Sequence, residues 1–380
     1  MKKLIALILC VIMVAGLMVG CGQQAPSAEA PAGNAPAGNA PAADTPKDDG
    51  KVYELSLSTH DPATSNKTIY LQQWADKINE ASGGRLNITV YSAGALAAGT
   101  AALDALRTGV CDIAWIYTSY FSGQYPLCEV ICNPIGISSV PQATGVLYDL
   151  YDKYPALQEE LGEFEILMMH SNPTNKICSI EGYEIDSIDD LKGMTFRASA
   201  GTASDLLIEW GATPIQMAPG DIYQAVQKGT VNGYIFDWSG CQAFGLEEVT
   251  ANFTTMPVYL GPYFLAMNSE SFNELPADLQ QLILDNSGYD ASMGMAWVYE
   301  GDEREGRKTM ENAGGKFIEV SAEEEARFSE ASQALIQKWV EKNASADFDA
   351  AAYIADAEAL ADQYAIPTDE INSTLDSMGW

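Results

Sequence analysis

Histidine is nearly missing from this 380-residue chain, which has only His60 and His170. A histidine-rich zinc site is therefore excluded, and any mechanism that needs an imidazole base has two candidates. Basic residues are scarce as well, 20 Lys and Arg against 52 Asp and Glu, for a net charge of −32. So acidic a chain repels DNA, RNA and anionic lipid surfaces, and nucleic acid is excluded as a partner. No G-x-G-x-x-G, G-x-x-x-x-G-K-[ST], G-x-S-x-G or H-E-x-x-H occurs, so the commonest nucleotide, hydrolase and zincin signatures are missing. The uncharged run from Leu4 to Val19 is shorter than the ~20 apolar residues of a spanning helix. What is present is 47% hydrophobic residues over a length that suits two domains of ~100–200 residues. The composition leans away from an enzyme, and nothing in it calls for a metal or a cofactor.

Lys2 and Lys3 precede the uncharged run and Gly20-Cys21 close it, the layout of a secretory signal. Met18-Val19-Gly20-Cys21 resembles the lipobox of bacterial lipoproteins, with Met where Leu is usual. That resemblance implies a signal peptide over residues 1–20, lipidation of Cys21 and anchoring to the cell membrane on its extracytoplasmic side. Removing residues 1–20 takes away two lysines and no acid, leaving 18 bases against 52 acids, net −34. Pro26, Pro31, Pro36, Pro41 and Pro46 recur every five residues, so the Ala/Pro/Gly-rich stretch 21–50 is expected to be a disordered tether. Five cysteines remain in the body, Cys111, Cys128, Cys132, Cys178 and Cys241, an odd number that leaves at least one thiol unpaired. Cys128 and Cys132 lack the second Cys or His pair that a zinc site needs.

From Val52 the pattern alternates between strand and helix. Val52–Ser58 alternates as a strand, Ile69, Trp74, Ile78 and Ala81 recur at helical spacing up to Gly83-Gly84, and Leu86–Val90 alternates again. A short helix, Thr100 to Arg107, and the apolar Ile113–Ile116 complete β-α-β-α-β. The same grammar restarts at Ser187: a strand at Met194–Arg197, a helix from Thr202 to Trp210, a turn at Tyr223–Gln227 and a strand at Gly233–Phe236. Asp278–Asn312 is mostly helix-forming over an unusual length. A strand at Lys316–Val320, a helix to Lys342 opened by the capping box Ser321-Ala322-Glu323-Glu324, and a helix near Ala351–Tyr364 complete the pattern. The fold class is α/β, and two units in tandem suggest two lobes.

Ser82–Tyr91 and Ala105–Ala114 resemble the first lobe of DctP-type solute-binding proteins of TRAP (tripartite ATP-independent periplasmic) transporters. Ser187-Ile188-Asp189-Asp190-Leu191-Lys192-Gly193-Met194-Thr195-Phe196-Arg197 is similar to that family's most recognisable signature. The block Pro214–Gly233, with Pro219, Tyr223, Gln224, Gly229 and Asn232, resembles the family's next block, and Asn268, Leu275-Pro276 and Leu279-Gln280 fit the segment beyond. The resemblance runs from about Val52 to about Glu319. It implies a two-lobed periplasmic-binding-protein-like fold with hinge strands and a long helix spanning both lobes. Such proteins close on a small organic acid and deliver it to small and large membrane permease subunits. Lobe I is then expected to hold residues 51–174 plus about 263–300, and lobe II residues 175–262 plus about 301–380.

Arg197 matches the arginine with which the family clamps a ligand carboxylate, and a guanidinium's rigid fork of donors suits two carboxylate oxygens as Lys does not. Thr174-Asn175-Lys176-Ile177 stands where some members carry a second arginine. The resemblance therefore implies a monocarboxylate, whether aromatic, keto or amino acid, rather than a dicarboxylate or sialic-acid-like ligand. Tyr117 falls where some relatives place an acidic or polar contact and Phe236 where others have Asn, which makes the site more aromatic. Trp115, Tyr120, Tyr234 and Trp238 flank these positions and belong either to the site wall or to the core. Asp237, beside an anion site, either points outward, pairs with a base, or meets the ammonium of a zwitterion. His60 and His170, each just after an expected strand, are polar candidates on lobe-facing edges, as are Asn172 and Asn175; Tyr223 joins from its block. The alternatives are an ABC-type receptor, which lacks the Asp189-to-Arg197 signature, a ligand-sensing lipoprotein, and a secreted hydrolase using His170 with a Ser or Asp, for which no nucleophile elbow is present.

Overall fold

The computed structural model describes residues 50–380; the expected signal peptide, Cys21 and the tether up to residue 49 lie outside the described residues. Eleven strands occur among the described residues: β1 Tyr53–Ser58, β2 Leu86–Tyr91, β3 Ile113–Tyr117, β4 Phe164–Ser171, β5 Lys176–Ser179, β6 Thr195–Ala198, β7 Thr213–Gln216, β8 Gly233–Phe236, β9 Asn252–Thr254, β10 Pro262–Asn268 and β11 Lys316–Ile318. The alternation of β1 turns Leu55 and Leu57 into the core. In the helix Asn66–Ala81, Leu71, Trp74, Ala75 and Ile78 are buried at helical spacing. Every residue of β3 and β10 is buried, because helices cover both faces of the sheet's centre and leave these strands no solvent side.

The strands form two sheets, one per lobe. The first runs β2-β1-β3-β10-β4, with β1 parallel to β2 and β3, and β10 antiparallel to β3 and β4. The second runs β11-β9-β5-β8-β6-β7, with β6 parallel to β7 and β8. The chain crosses between the sheets from β4 to β5 and from β9 to β10. The two crossing segments are bonded to each other: Asn172 N–H donates to the Gly261 carbonyl at 3.1 Å, Asn175 N–H to that of Tyr259 at 2.7 Å, and Val258 N–H to that of Asn175 at 2.9 Å. These paired segments are the hinge.

The helix-forming stretch after β10 is two helices, Ala277–Asp285 and Gly288–Asn312. The Asn286 and Ser287 side chains bond back to the carbonyls of Leu282 and Ile283 at 2.8 and 2.7 Å, and the chain turns there. The longer helix spans both lobes, with Met295, Ala296 and Tyr299 in a core of the first and Met310 in a core of the second. Its adjacent acids Asp302 and Glu303 each hold a buried cation from a different lobe, Lys67 at 3.1 Å and Lys176 at 2.9 Å.

Two expectations are corrected. The helix Ala350–Gln363 belongs with lobe I, because Tyr353, Ile354, Ala357 and Ala361 pack into the core around the helix Val140–Lys153. Tyr223–Gln227 is not a turn but part of the helix Ile222–Gln227. Of the capping box expected at Ser321 only the cap forms, its Oγ accepting from Glu324 N–H at 3.2 Å, because the Glu324 carboxylate accepts from Ile188 N–H and Arg327 instead.

Candidate functional site

Arg197 is positioned by its own signature. Ser187 and Asp190 make a reciprocal cap on the short turn Ile188–Leu191, Leu191 is buried, and Gly193 takes the left-handed φ of 75° that sends the chain into β6. On β6 the arginine lies between β7 and β8, opposite Ile215 and Tyr234. Its side chain extends to the carboxyl ends of these parallel strands, where open α/β sheets place their ligands. Nε and Nη2 both donate to the Met217 carbonyl, at 3.0 and 2.9 Å, and Nη1 donates to that of Ile235 at 3.3 Å. A guanidinium has five N–H groups, so one on each Nη is left by the backbone, a fork matched to a carboxylate.

That fork lies in a cavity of about 10 Å³ lined by both lobes. Tyr117, Tyr120 and Tyr263 line it from the first lobe, Ser199 and Phe236 from the second, and Asn172, Asn175 and Tyr259 from the hinge. Such a volume holds about one water molecule, so anything larger would need the lobes to part. The Phe236 ring centre is 5.3 Å from the guanidinium carbon. Tyr117 and Tyr263 stack at 4.6 Å, and Tyr120 stands edge-on to Tyr117 at 5.0 Å. Burial raises the Tyr117, Tyr259 and Tyr263 phenols above their ordinary range, so they face the cavity as neutral hydrogen-bonding groups. A larger cavity of about 280 Å³ lies between Glu129, Asp205 and Trp339; its two lysines, Lys338 and Lys342, share it with the carboxylates of Glu129, Asp205 and Glu209, and Lys338 is paired with Glu209. Around Arg197 the lining holds no carboxylate.

The structure brings Arg197, Tyr117, Tyr120, Phe236, Asn172 and Asn175 around this cavity and leaves the other candidates outside it. Asp237 does not point outward: it is 3% exposed and caps the helix Trp238–Ala243, accepting from Gly240 N–H at 2.7 Å, Ser239 Oγ at 2.6 Å and Asn172 Nδ2 at 2.9 Å. With those bonds made it serves the hinge, not a ligand ammonium. Trp238 packs against Phe317 and under the Lys176 ammonium, and Tyr223 donates to Glu248 at 2.8 Å. His170 lies within β4, not after it; Nε2 accepts from Trp115 at 3.1 Å while Nδ1 bonds to the Ser171 carbonyl, and burial lowers its pKa to about 4. His60 stacks on Trp115 and meets Tyr120 edge-on, with burial again favouring the neutral ring. Neither imidazole is a second cation at neutral pH.

Trp115 and Tyr234 belong to cores, and Tyr120 to the wall. Tyr259, Tyr263 and Ser199 were not readable as site residues. β10 is apolar throughout and shows no facing period, and the nearest signal for Tyr259 is its place between Pro257 and Gly261-Pro262. All five cysteines of the body are free and buried.

Two α/β lobes joined by paired hinge strands and a spanning helix, with one arginine lining an aromatic cavity between them, have the architecture of two-lobed solute receptors. The match to a family model over residues 57–343 is specific: the chain belongs to the bacterial extracellular solute-binding proteins of family 7, the DctP receptors of TRAP transporters. It is 25% identical over 242 residues to the outer membrane transporter protein TsaT of Comamonas testosteroni, covering 63% of this chain and 70% of that protein. To a monocarboxylate 2-oxoacid-binding periplasmic protein of Nostoc it is 24% identical over 301 residues, 77% and 79% of the two chains. A marine metagenome TRAP solute-binding protein specific for aromatic acids, solved with metahydroxyphenylacetate, superimposes with a TM-score of 0.77 at 25% identity over 83% of this chain and 100% of that one. One from Rhodoferax ferrireducens with copurified benzoate gives 0.76 at 24% identity, over 82% and 98%. These relatives are solute-binding proteins of transporters, not enzymes. No helix among the described residues is long and apolar enough to cross a membrane.

Proposed function

We propose that this protein captures a small aromatic monocarboxylate by closing its lobes around Arg197 and delivers it to the small and large subunits of a TRAP permease, while Cys21 tethers it by lipid to the outer face of the membrane. The observation that carries this reading is a single arginine fork in a cavity walled by four tyrosines and one phenylalanine, with Asn172, Asn175 and Ser199 completing the lining. One cation suits one carboxylate, and rings on both sides suit a planar body. The relatives solved with benzoate and metahydroxyphenylacetate support the aromatic class.

The test is ligand-induced thermal stabilisation of residues 22–380, refolded to remove any copurified acid, against aromatic, aliphatic, keto-, amino- and dicarboxylates. A ligand at a hundredfold excess over its Kd stabilises by ~2.7 kcal/mol. Aromatic monocarboxylates are expected to raise Tm most. No shift from any carboxylate would overturn the receptor reading, and a shift only from dicarboxylates or amino acids would overturn the ligand class. Metabolic labelling with an alkynyl fatty acid, lost in Cys21→Ser, tests the anchor.

A further inference from the structure

The structure assigns to Tyr259 the recognition of a second oxygen on the ligand, a hydroxyl or oxo group carried by the acid whose carboxylate Arg197 holds. This rests on the receptor function proposed above and goes beyond it to the ligand's substituents. The Tyr259 hydroxyl is 2.8 Å from Ser199 Oγ and 3.1 Å from the Tyr117 hydroxyl. All three groups line the cavity that holds Arg197. Three hydroxyls carry three protons and the two contacts between them use two; with both neighbours donating to Tyr259, the O–H left over is its own. The oxygens at the ends also retain lone pairs, so the chain both donates and accepts.

The two amides of the wall are already engaged. The Asn172 amide is held between Asp237 and the Gly261 N–H, at 2.9 and 2.7 Å, and that of Asn175 donates to the Tyr259 carbonyl at 3.1 Å. Among the residues lining the cavity there is no carboxylate to match a ligand ammonium and no cation besides Arg197 to match a second carboxylate. A neutral oxygen fits what remains. An oxo group accepts the spare O–H, and a hydroxyl can accept and donate in turn.

The origin of the three groups ties this recognition to lobe closure. Tyr117 ends β3 in the first lobe, Ser199 comes directly after β6 in the second, and Tyr259 lies on a crossing segment between them. Hydrogen bonds from Asn175 N–H and Nδ2 to the Tyr259 carbonyl pin that segment. The chain is complete only with the lobes together, so the ligand's oxygen stabilises the closed complex and slows release more than it speeds capture.

The experiment is calorimetric titration and stopped-flow dissociation of residues 22–380, as wild type, Tyr259→Phe and Ser199→Ala. The probes are benzoate, its three monohydroxy isomers and phenylglyoxylate, and the aliphatic pair 4-methylpentanoate and 4-methyl-2-oxopentanoate. At least one oxygenated acid is expected to bind about tenfold or more tighter than its parent, with the gap in the dissociation rate. Tyr259→Phe is expected to close that gap, weakening the oxygenated acid about tenfold or more beyond any weakening of its parent, and Ser199→Ala to narrow it. Equal weakening of parent and oxygenated acids in Tyr259→Phe, or no advantage for any oxygenated acid in the wild type, overturns the assignment. Should Tyr259→Phe fail to fold, Ser199→Ala decides alone, and an undiminished gap in it overturns the assignment. Binding of the aliphatic pair but of none of the aromatic acids refutes the aromatic class proposed above, and the oxygen gap within that pair then decides the role of Tyr259.

Discussion

Arg197→Ala removes the one cation lining the interlobe cavity among the described residues, and its cost divides into two parts. For binding, one N–H on each Nη is available to a carboxylate. Hydrogen bonds to charged groups contribute ~1.5–3 kcal/mol each, so the loss is ~3–6 kcal/mol, or ~10²- to 10⁴-fold in Kd. For folding, the arginine's three backbone bonds to Met217 and Ile235 also disappear. A buried acceptor left without a donor costs ~1–3 kcal/mol, so the variant should unfold at lower urea even without ligand. Arg197→Lys separates the two effects. A single ammonium reaches either the Met217 carbonyl or the ligand but cannot present two parallel donors, so an intermediate loss of about tenfold to a hundredfold is expected. Calorimetry with the best-stabilising acid, alongside urea unfolding of the same samples, measures both parts. An Arg197→Ala variant that is folded and binds within threefold of wild type, or an Arg197→Lys variant with unchanged affinity, would refute the clamp.

Two further outcomes test the hinge and the desolvated acids. A methyl group on Gly261 would lie 2.5 to 2.9 Å from three atoms of the Tyr117 ring and hydroxyl, so Gly261→Ala should push Tyr117 off Tyr259, lowering stability by ~1–3 kcal/mol and weakening ligand binding; an unchanged urea midpoint and Kd would show that the hinge yields freely. Glu300, half-buried on the long helix and accepting from Val140 N–H at 2.6 Å, has its carboxyl pushed up to about 7 by desolvation. Its folded pKa exceeds the unfolded one, so the penalty is full at higher pH and is relieved as pH falls through 7. Lowering pH from 8 to 6.5 should therefore add ~0.8 kcal/mol through this group, and Glu300→Gln should remove that increment. Glu129 and Glu160, also raised to about 7, leave a residual slope of the same sign. An identical slope in urea unfolding of both proteins would rule Glu300 out as its source.

How much could be read from the sequence depends on how local its causes are. The burial of Leu55 and Leu57 in β1, and of Leu71, Trp74 and Ile78 in the helix after it, needs one covered face per element, and the residues repeat at that face's period. Arg197 was legible because a cap, a buried leucine and a positive-φ glycine within eleven residues place it on β6. The restart of the strand and helix pattern announced two lobes. The partner of a helix is not local in this way: the apolar stripe of Ala350–Gln363 would suit either lobe, and only the packing of Tyr353 and Ala357 shows that it joins the first. The same holds for Asp237, whose acidity suggested an outward or ligand-facing group until Asn172, 65 residues away, was found bonded to it.

The cavity is the extreme case, since its specificity is assembled at the crossings. Tyr117 and Tyr259 are 142 residues apart in sequence, and Ser199 and Tyr259 are 60 apart. Each of these positions reads locally as a buried aromatic or a loop serine, and no period links them. The class of the protein is therefore written in local signals that place the arginine, whereas the choice among acids is written in contacts that exist only once the hinge has formed. The two have different mutational consequences. A change at Arg197 removes the carboxylate's partner without touching the paired hinge strands. A change at Tyr259 or Asn172 alters the hinge and the cavity wall together, because the hydrogen bonds that join the crossing segments run through residues that also line the cavity. On the function proposed above, ligand choice and lobe closure are coupled, and variants selected for a new acid should carry altered closure rates as a direct consequence.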